Sequence, residues 1–148
     1  MKYKILFSAF LICLLSCNKK DDCKEQPIAL KHFESDYGCA DTRHTLSVNL
    51  NNNATIIRSK EAYDSQVSGS CHPEIDFALF DLVIGRQSSG NNNASITYDL
   101  RRTCPDKELT LTVDLIQGMA TVPDNVVYHA LIPKLGDEES LNIKITVR

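Results

Sequence analysis

Apolar and polar residues alternate along most of the second half of the chain. The clearest segment is residues 109–115, where four apolar residues are separated by three polar ones. A period of two places the apolar side chains on one face of a β-strand. Residues 46–50, 54–58, 79–84, 96–100 and 141–147 predict further strands. Residues 126–132 are apolar at both even and odd positions, which predicts a central strand that is covered on both faces.

Local signals predict the connections in the middle of the chain. Three asparagines at residues 51–53 tolerate a positive φ and predict a turn that joins strands 46–50 and 54–58 into a hairpin. Ser59 precedes good helix formers and predicts the N-cap of a short helix that ends near Val67. Residues 85–93 are rich in Gly, Ser and Asn and predict a polar loop. Residues 23–42 predict an irregular segment with at most one short helix.

About seven strands at short intervals, with one short helix, favour an all-β fold with minor α. Helices that alternate regularly with strands, which a parallel α/β sheet requires, are absent from the pattern. The spacing predicts an antiparallel β-sandwich or a small open barrel over residues 43–148. Hydrophobic residues make up 43% of the chain and charged residues 24%, which is typical of a globular domain.

The first residues carry an export signal. Lys2 and Lys4 precede an apolar run at residues 5–15 that is too short to cross a bilayer. The run ends in Leu14-Leu15-Ser16-Cys17, which resembles the lipobox of bacterial lipoproteins. The resemblance implies that residues 1–16 are removed and that Cys17 receives the acyl chains. The alternative is an ordinary signal peptide with an incidental cysteine.

The residues behind Cys17 indicate where the protein is exported. Lys19, Lys20, Asp21 and Asp22 resemble the export signal that sends many lipoproteins of the Bacteroidota to the outer face of the outer membrane. The alternative is a solvated spacer. We therefore expect residues 17–42 to be a lipidated tether and irregular segment, attached to the outer membrane and facing the cell exterior.

The charge of the chain excludes one class of partner. The full chain has 16 basic and 19 acidic residues, and removal of Lys2 and Lys4 with the signal peptide leaves 14 basic residues, a formal charge of −5. An acidic domain does not attract nucleic acid. The expected partners are another envelope protein and, through the lipid anchor, the membrane.

Four cysteines of the exported chain predict two disulfides. They are Cys23, Cys39, Cys71 and Cys104, and three connectivities are possible. We favour Cys23–Cys39, which closes a small N-terminal loop, and Cys71–Cys104. No cysteine or histidine spacing typical of zinc occurs, so no metal and no cofactor are expected.

The histidines do not form a known catalytic motif. They are His32, His44, His72 and His129, and no nucleophile elbow, zinc-protease helix or phosphate loop is present. His129 shares a strand face with Val127 and Leu131, which predicts a partly buried histidine bonded to a backbone carbonyl. The expectation is that the protein is not an enzyme.

An ordered set of residues resembles a known family. It consists of Asp76-Phe77, Gly85, Gly90, Tyr98 and Pro133-Lys134. The order is similar to that of the C-terminal domain of PrcB-type lipoproteins, which stabilise a surface protease complex. A departure occurs after Gly90, where Asn91-Asn92-Asn93 replaces the family's tight Gly-Gly-Tyr turn. The resemblance implies a β domain with a protein partner, and Asp76 is expected to cap a turn.

These observations give a functional hypothesis with two competitors. The hypothesis is an outer-membrane lipoprotein that binds or stabilises another envelope protein. A small-ligand-binding β module is the alternative, and an enzyme is the weakest of the three. An adaptor predicts an exposed strand edge or apolar patch, whereas a ligand module predicts a deep pocket with convergent polar groups. An enzyme predicts titratable residues clustered in a cleft.

Overall fold

A computed structural model describes residues 25–50, 54–104 and 108–148. It is mostly strands with short helices, which confirms the predicted all-β fold with minor α. The elements are β1 (Gln26–Ile28), α1 (Phe33–Tyr37), α2 (Thr42–Thr45), β2 (Leu46–Val48), β3 (Ala54–Ile57), α3 (Lys60–Gln66), β4 (Val67–Gly69), β5 (Phe80–Ser89), β6 (Asn93–Arg102), β7 (Leu109–Gln117), β8 (Asp124–Pro133) and β9 (Leu141–Val147).

The strands form two main sheets and one small ladder. The first sheet has the order β1-β6-β7-β9 and the second sheet has the order β3-β5-β8, while β2 pairs with β4. All neighbours are antiparallel except β7 and β9, which are parallel. Among the described residues no helix is long and apolar enough to cross a membrane.

The second sheet is covered on both faces. Its inner face packs on the first sheet through an apolar core that includes Val83, Leu111, Tyr128 and Ile132. Its outer face carries Leu82, Ile84 and Leu131, which pack under α1, α3 and the β2–β4 ladder. Seven consecutive residues of β8 are therefore buried, and the prediction of a central strand over residues 126–132 is confirmed.

The short helix after Ser59 is also confirmed. The Ser59 hydroxyl accepts a hydrogen bond from the backbone N–H of Ala62 at 3.2 Å, which satisfies a free donor in the first turn. Tyr63 anchors the helix in the outer core at 2% exposure. The helix ends at Gln66, one residue from the expected end.

The predicted hairpin of strands 46–50 and 54–58 is wrong. β2 pairs with β4, and β3 pairs with β5, because α3 follows β3 and returns the chain to β2, where β4 forms. Gly69 permits this close return, since a Cβ there would lie 2.4 Å from the Thr45 carbonyl oxygen and its φ is +145°. The asparagines at residues 51–53 lie outside the described residues.

Three further expectations differ from the structure. The polar loop predicted at residues 85–93 is wrong, because β5 continues to Ser89 and pairs with β8 along its whole length. The segment predicted as irregular with at most one short helix contains α1, but it also contains the strand β1 and buries Phe33 completely. β9 joins β7 in parallel, so the sheets are not purely antiparallel.

The favoured disulfide connectivity is wrong as well. Cys39 is bonded to Cys71, with Cα atoms 5.7 Å apart. The β2–β4 pairing explains this bond, because it places Ser70 beside Thr45 and thus brings Cys71 to the segment that contains Cys39. Cys104 is also disulfide-bonded. Cys23 lies outside the described residues.

Candidate functional site

An open cleft of about 990 Å³ lies where the edges of the two main sheets meet. Five consecutive residues of β6, 94–98, form one wall, and Val127 and His129 of β8 form the other. Residues of α1, α2 and their flanks cover the top. We call this space the edge cleft, and we call residues 32–44 the cap.

The cap is fixed to the domain by packing and by turn chemistry. Phe33 is fully buried in the outer core, and Gly38 ends α1 in the left-handed conformation with φ at 71°. The Asp36 carboxylate accepts a hydrogen bond from the backbone N–H of His32 at 2.9 Å. The Cys39–Cys71 disulfide ties the end of α1 to the segment after β4.

His129 lies at the centre of the wall formed by β8. Its side chain is 3% exposed, and its ring stacks on Phe33 with centroids 4.4 Å apart. Its Nε2 atom lies 2.6 Å from the Thr42 hydroxyl, and the Thr42 hydroxyl donates to the Glu34 carboxylate. The expected burial of His129 is confirmed, but the predicted carbonyl partner is wrong: a side chain of the cap takes that place.

The single proton of the Thr42 hydroxyl determines the direction of these hydrogen bonds. The hydroxyl of Thr42 has one proton and donates it to Glu34, so it must accept from the N–H at Nε2 of His129. The other ring nitrogen, Nδ1, is then an acceptor in the neutral ring, and among the described residues it has no hydrogen-bond partner. A buried polar atom without a partner costs about 1–3 kcal/mol.

The hydrogen bonds and the burial shift several pKa values in the cleft. The His129 ring, whose Nε2 atom lies 3.7 Å from the carboxylate, lowers the pKa of Glu34, and burial acts against this effect. Burial lowers the pKa of His32, as does the neighbouring His129. Burial also raises the pKa of Tyr98, whose hydroxyl accepts from the backbone N–H of His129 at 3.0 Å. Near neutral pH, Glu34 is therefore ionised, while His32 and Tyr98 are neutral.

A second polar group ties α2 to the starts of β6 and β8. The Arg43 guanidinium donates to the backbone carbonyl of Ala94 at 2.8 Å and to the side chain of Asn93 at 3.1 Å. His44 lies between two carboxylates, 2.9 Å from Asp41 and 3.2 Å from Asp124. Partial burial disfavours the protonated ring of His44, but the hydrogen bonds to both carboxylates outweigh it and raise the pKa.

The geometry of the His129 cluster is not that of a nucleophilic triad. In such a triad the base accepts a proton from the hydroxyl at one ring nitrogen, and a carboxylate binds the other nitrogen. Here the ring donates to Thr42, and both Thr42 and Glu34 lie on the same side of the ring. Within residues 25–50, 54–104 and 108–148, no group of three His, Cys, Asp or Glu side chains is arranged for a metal ion.

The structure places the other predicted residues in separate regions. Asp76 accepts from the backbone N–H of Ala78 at 3.0 Å, so its expected turn-capping role is confirmed. Phe77 packs against the outer core, Gly85 is buried within β5, and Gly90 is in the exposed turn after β5.

Only one residue of the family-like set reaches the cleft. Tyr98 lines it. Pro133 and Lys134 lie at the far end of β8, and Lys134 binds the buried Asp81 at 2.6 Å. The residues proposed for lipidation and export, which are Cys17, Lys19, Lys20, Asp21 and Asp22, lie outside the described residues.

Most residues of the site could not be predicted from the sequence. Glu34, Thr42 and Arg43 lie in a segment without any hydrophobic period, and nothing in the pattern links them to β6 or β8. His129 was identified because it interrupts an apolar run. A polar residue at a buried strand position needs a partner, and this was the available signal that a polar segment packs on β8.

Comparison with known proteins gave no match among protein-family models, curated proteins or solved structures.

Proposed function

We propose that this chain is an outer-membrane lipoprotein that binds or stabilises another envelope protein through the edge cleft. In this proposal Cys17 carries the acyl chains, and residues 19–22 direct the protein to the cell exterior. The resemblance to PrcB-type lipoproteins supports the same role. The proposal assigns the protein a binding function and not a catalytic one.

The observation that carries the proposal is the preorganisation of the edge cleft. Its polar side chains are already held by hydrogen bonds within the domain: Glu34 by Thr42, His44 by Asp41 and Asp124, and Arg43 by β6. A partner that binds such a surface loses little side-chain entropy of the receptor, which favours affinity. The cleft is open to solvent along the wall formed by residues 94–98.

The position of the cleft suits a tethered binding protein. The described chain enters the first sheet at Gln26, which lies opposite Arg102 on β6. The cleft lies along residues 94–98 of the same strand. At the rise of an extended strand, residue 94 is about 25 Å from Arg102. An anchor before residue 25 therefore leaves the cleft at the opposite end of β6, accessible to a partner.

The direction of hydrogen bonding argues against catalysis by the His129 cluster. Thr42 is 1% exposed and accepts its hydrogen bond from His129, so its oxygen is neither accessible nor activated. A general base also needs a free lone pair near the substrate. The free lone pair of His129 belongs to Nδ1, which is buried.

A small-ligand-binding module is the second candidate. The volume of the edge cleft, about 990 Å³, lies at the upper end of the range for small-molecule pockets. Ionisable groups share the lining with the apolar side chains of Ile96 and Val127. This candidate predicts a bound small molecule and no protein partner.

The test is chemical crosslinking on intact cells that carry a tagged copy, followed by mass spectrometry. Two variants make it specific for the cleft. Ser95→Trp places a large side chain at an exposed position of the cleft wall, while Asn142→Trp does the same on β9, at the opposite edge of the first sheet.

We expect one dominant envelope protein in near-equal amount with the wild type and with Asn142→Trp, and its loss with Ser95→Trp. A protein captured equally from all three would contradict binding in the cleft. Capture of no protein would contradict the adaptor function and favour the small-ligand module.

A further inference from the structure

The described residues fill only part of the space beside the outer edge of β6, which we call the lane. β1 pairs with three residues of β6, from Leu100 to Arg102. After Ile28 the chain leaves β6 and bridges to β8, where Lys31 and Leu131 exchange two backbone hydrogen bonds at 2.9 and 3.1 Å. Among the described residues, no strand pairs with the edge of β6 that faces the cleft from Asp99 towards Asn93.

Two observations identify which backbone groups point into this lane. The backbone N–H of Thr103 donates to Glu108 across the β6–β7 pair at 2.9 Å, so odd-numbered residues of β6 bond to β7. On the opposite edge of β6, Arg101 lies opposite Pro27. Because Pro27 has no N–H, this odd-numbered position is not a hydrogen-bonded pair with β1. The N–H and C=O groups of Ile96 and Tyr98 therefore point into the lane.

These groups have no backbone partner on the cleft side among the described residues. The hydrogen bonds from outside the strands reach β6 at its ends only: Arg43 takes the carbonyl of Ala94, and β1 pairs with Leu100. An unpaired row of N–H and C=O groups is a template for another strand. Residues 94–98 all line the open cleft, so the template is accessible.

The charge of the cleft indicates the chemistry of the incoming segment. The side chains of Glu34 and Asp41 are 44% and 51% exposed. The permanent cation of the lining, Arg43, already bonds to Asp41, Asn93 and Ala94. The Glu34 carboxylate is left with an exposed face in the lining of the cleft, where a lysine or arginine side chain would complement it.

From this geometry we infer that the partner contributes an extended segment that adds to the free edge of β6 and places a basic side chain against Glu34. The inference rests on the proposed function and specifies its binding mode. The main-chain hydrogen bonds would provide affinity, and the basic side chain would set the register. The new strand would continue the lane that β1 begins.

The test uses backbone amide hydrogen exchange, followed residue by residue by NMR on the full exported chain with Cys17→Ala. The probes are synthetic peptides that tile the sequence of the protein captured in the crosslinking experiment. In the complex with the tightest peptide, we expect the amides of Ile96 and Tyr98 to become at least tenfold more protected. The backbone amides of Ser95 and Thr97, which point towards β7, serve as internal controls and should change much less.

A matched pair of variants tests the charge. Glu34→Gln should weaken binding of the lysine- or arginine-containing peptide about tenfold, the scale of a charge-assisted hydrogen bond. Glu138→Gln removes the same charge from an exposed turn that is not part of the cleft lining and should leave the affinity unchanged. Equal effects of the two variants would contradict the basic-residue requirement.

The outcomes separate the inference from the proposed function. Alternating protection along β6 supports strand addition. A captured protein whose peptides leave Ile96 and Tyr98 unprotected overturns strand addition, while the adaptor function stands. Capture of no protein overturns both.

Discussion

Two buried polar side chains on neighbouring strands, Asp81 on β5 and His129 on β8, are satisfied to different degrees. Asp81 is fully buried, and both of its carboxylate oxygens are bonded, to Lys134 at 2.6 Å and to the backbone N–H of Leu135 at 3.1 Å. His129 is 3% exposed and has one bonded nitrogen and one without a partner among the described residues.

This difference distinguishes a structural polar group from a candidate functional one. A fully bonded buried group stabilises the fold because its removal leaves other groups unpaired. An incompletely bonded group adds little to stability, which makes it a candidate for another role. The Asp81 cluster closes one end of the β5–β8 pair, whereas His129 borders the open edge cleft.

The largest effect is expected from the bond that holds the cap over His129. Cys39→Ser opens a link between residues 32 positions apart, and chain entropy predicts a loss of about 4 kcal/mol of unfolding free energy. Denaturant unfolding with and without reductant measures it. Addition of reductant should lower the unfolding free energy of the wild type by more than that of the variant, because the variant has already lost this bond.

Peptide mapping under non-reducing conditions checks the connectivity itself. We expect Cys71 to be linked to Cys39, and Cys104 to be linked to Cys23, the remaining cysteine of the exported chain. A peptide that joins Cys71 to Cys104 would contradict the structure of the cap and restore the pairing favoured from the sequence.

Asp81→Ala should have the next largest effect, since it breaks the satisfied cluster. The loss leaves the backbone N–H of Leu135 buried without its acceptor, and we expect about 3 kcal/mol of destabilisation. Asp99→Ala is the control, because the ion pair of Asp99 with Arg101 is exposed and such pairs contribute less than about 1 kcal/mol. If Asp81→Ala and Asp99→Ala lowered the melting temperature by similar amounts, Asp81 would not be the structural group that the comparison requires.

His129→Leu tests the other side of the comparison. A leucine fills a similar volume on Phe33 and removes the unpartnered Nδ1, while Thr42 keeps its bond to Glu34. We expect the unfolding free energy to change by less than about 1 kcal/mol in either direction. A loss as large as that of Asp81→Ala would show that His129 is structural, and the comparison would fail.

The smallest effect is the pH dependence contributed by Glu34. Its pKa is lowered in the folded state by the neighbouring His129 ring, so its contribution to stability is present above the ordinary pKa of 4.5 and is lost as pH falls through the folded value. Wild type should lose more stability than Glu34→Gln below pH 4.5. If the stabilities of wild type and Glu34→Gln fell in parallel in acid, the interaction of Glu34 with His129 would be contradicted.

Local patterns predicted the parts of the fold that depend on local chemistry. The apolar run of β8, the N-cap at Ser59 and the turn cap at Asp76 each needed only neighbouring residues. The β2–β4 pairing and the parallel β9 depend on contacts between distant segments, and alternation is the same for any strand partner. The disulfide followed from that pairing and was missed with it.

The candidate site was harder to predict than the fold. His129 could be identified from a polar residue in an apolar run, but its partners could not. Glu34 and Thr42 lie in the cap, whose path is set by the burial of Phe33 and by a disulfide to a distant strand. Binding surfaces of this kind are formed where separate segments meet, so no single segment carries the signal.

Site-specific photocrosslinking on intact cells tests whether the edge cleft is the binding surface. A photoreactive amino acid replaces Thr97 in the cleft wall, and in a second strain it replaces Asn142 on β9. We expect one envelope protein to be captured from position 97 and not from position 142. Capture from position 142 alone, or equally from both, would contradict it.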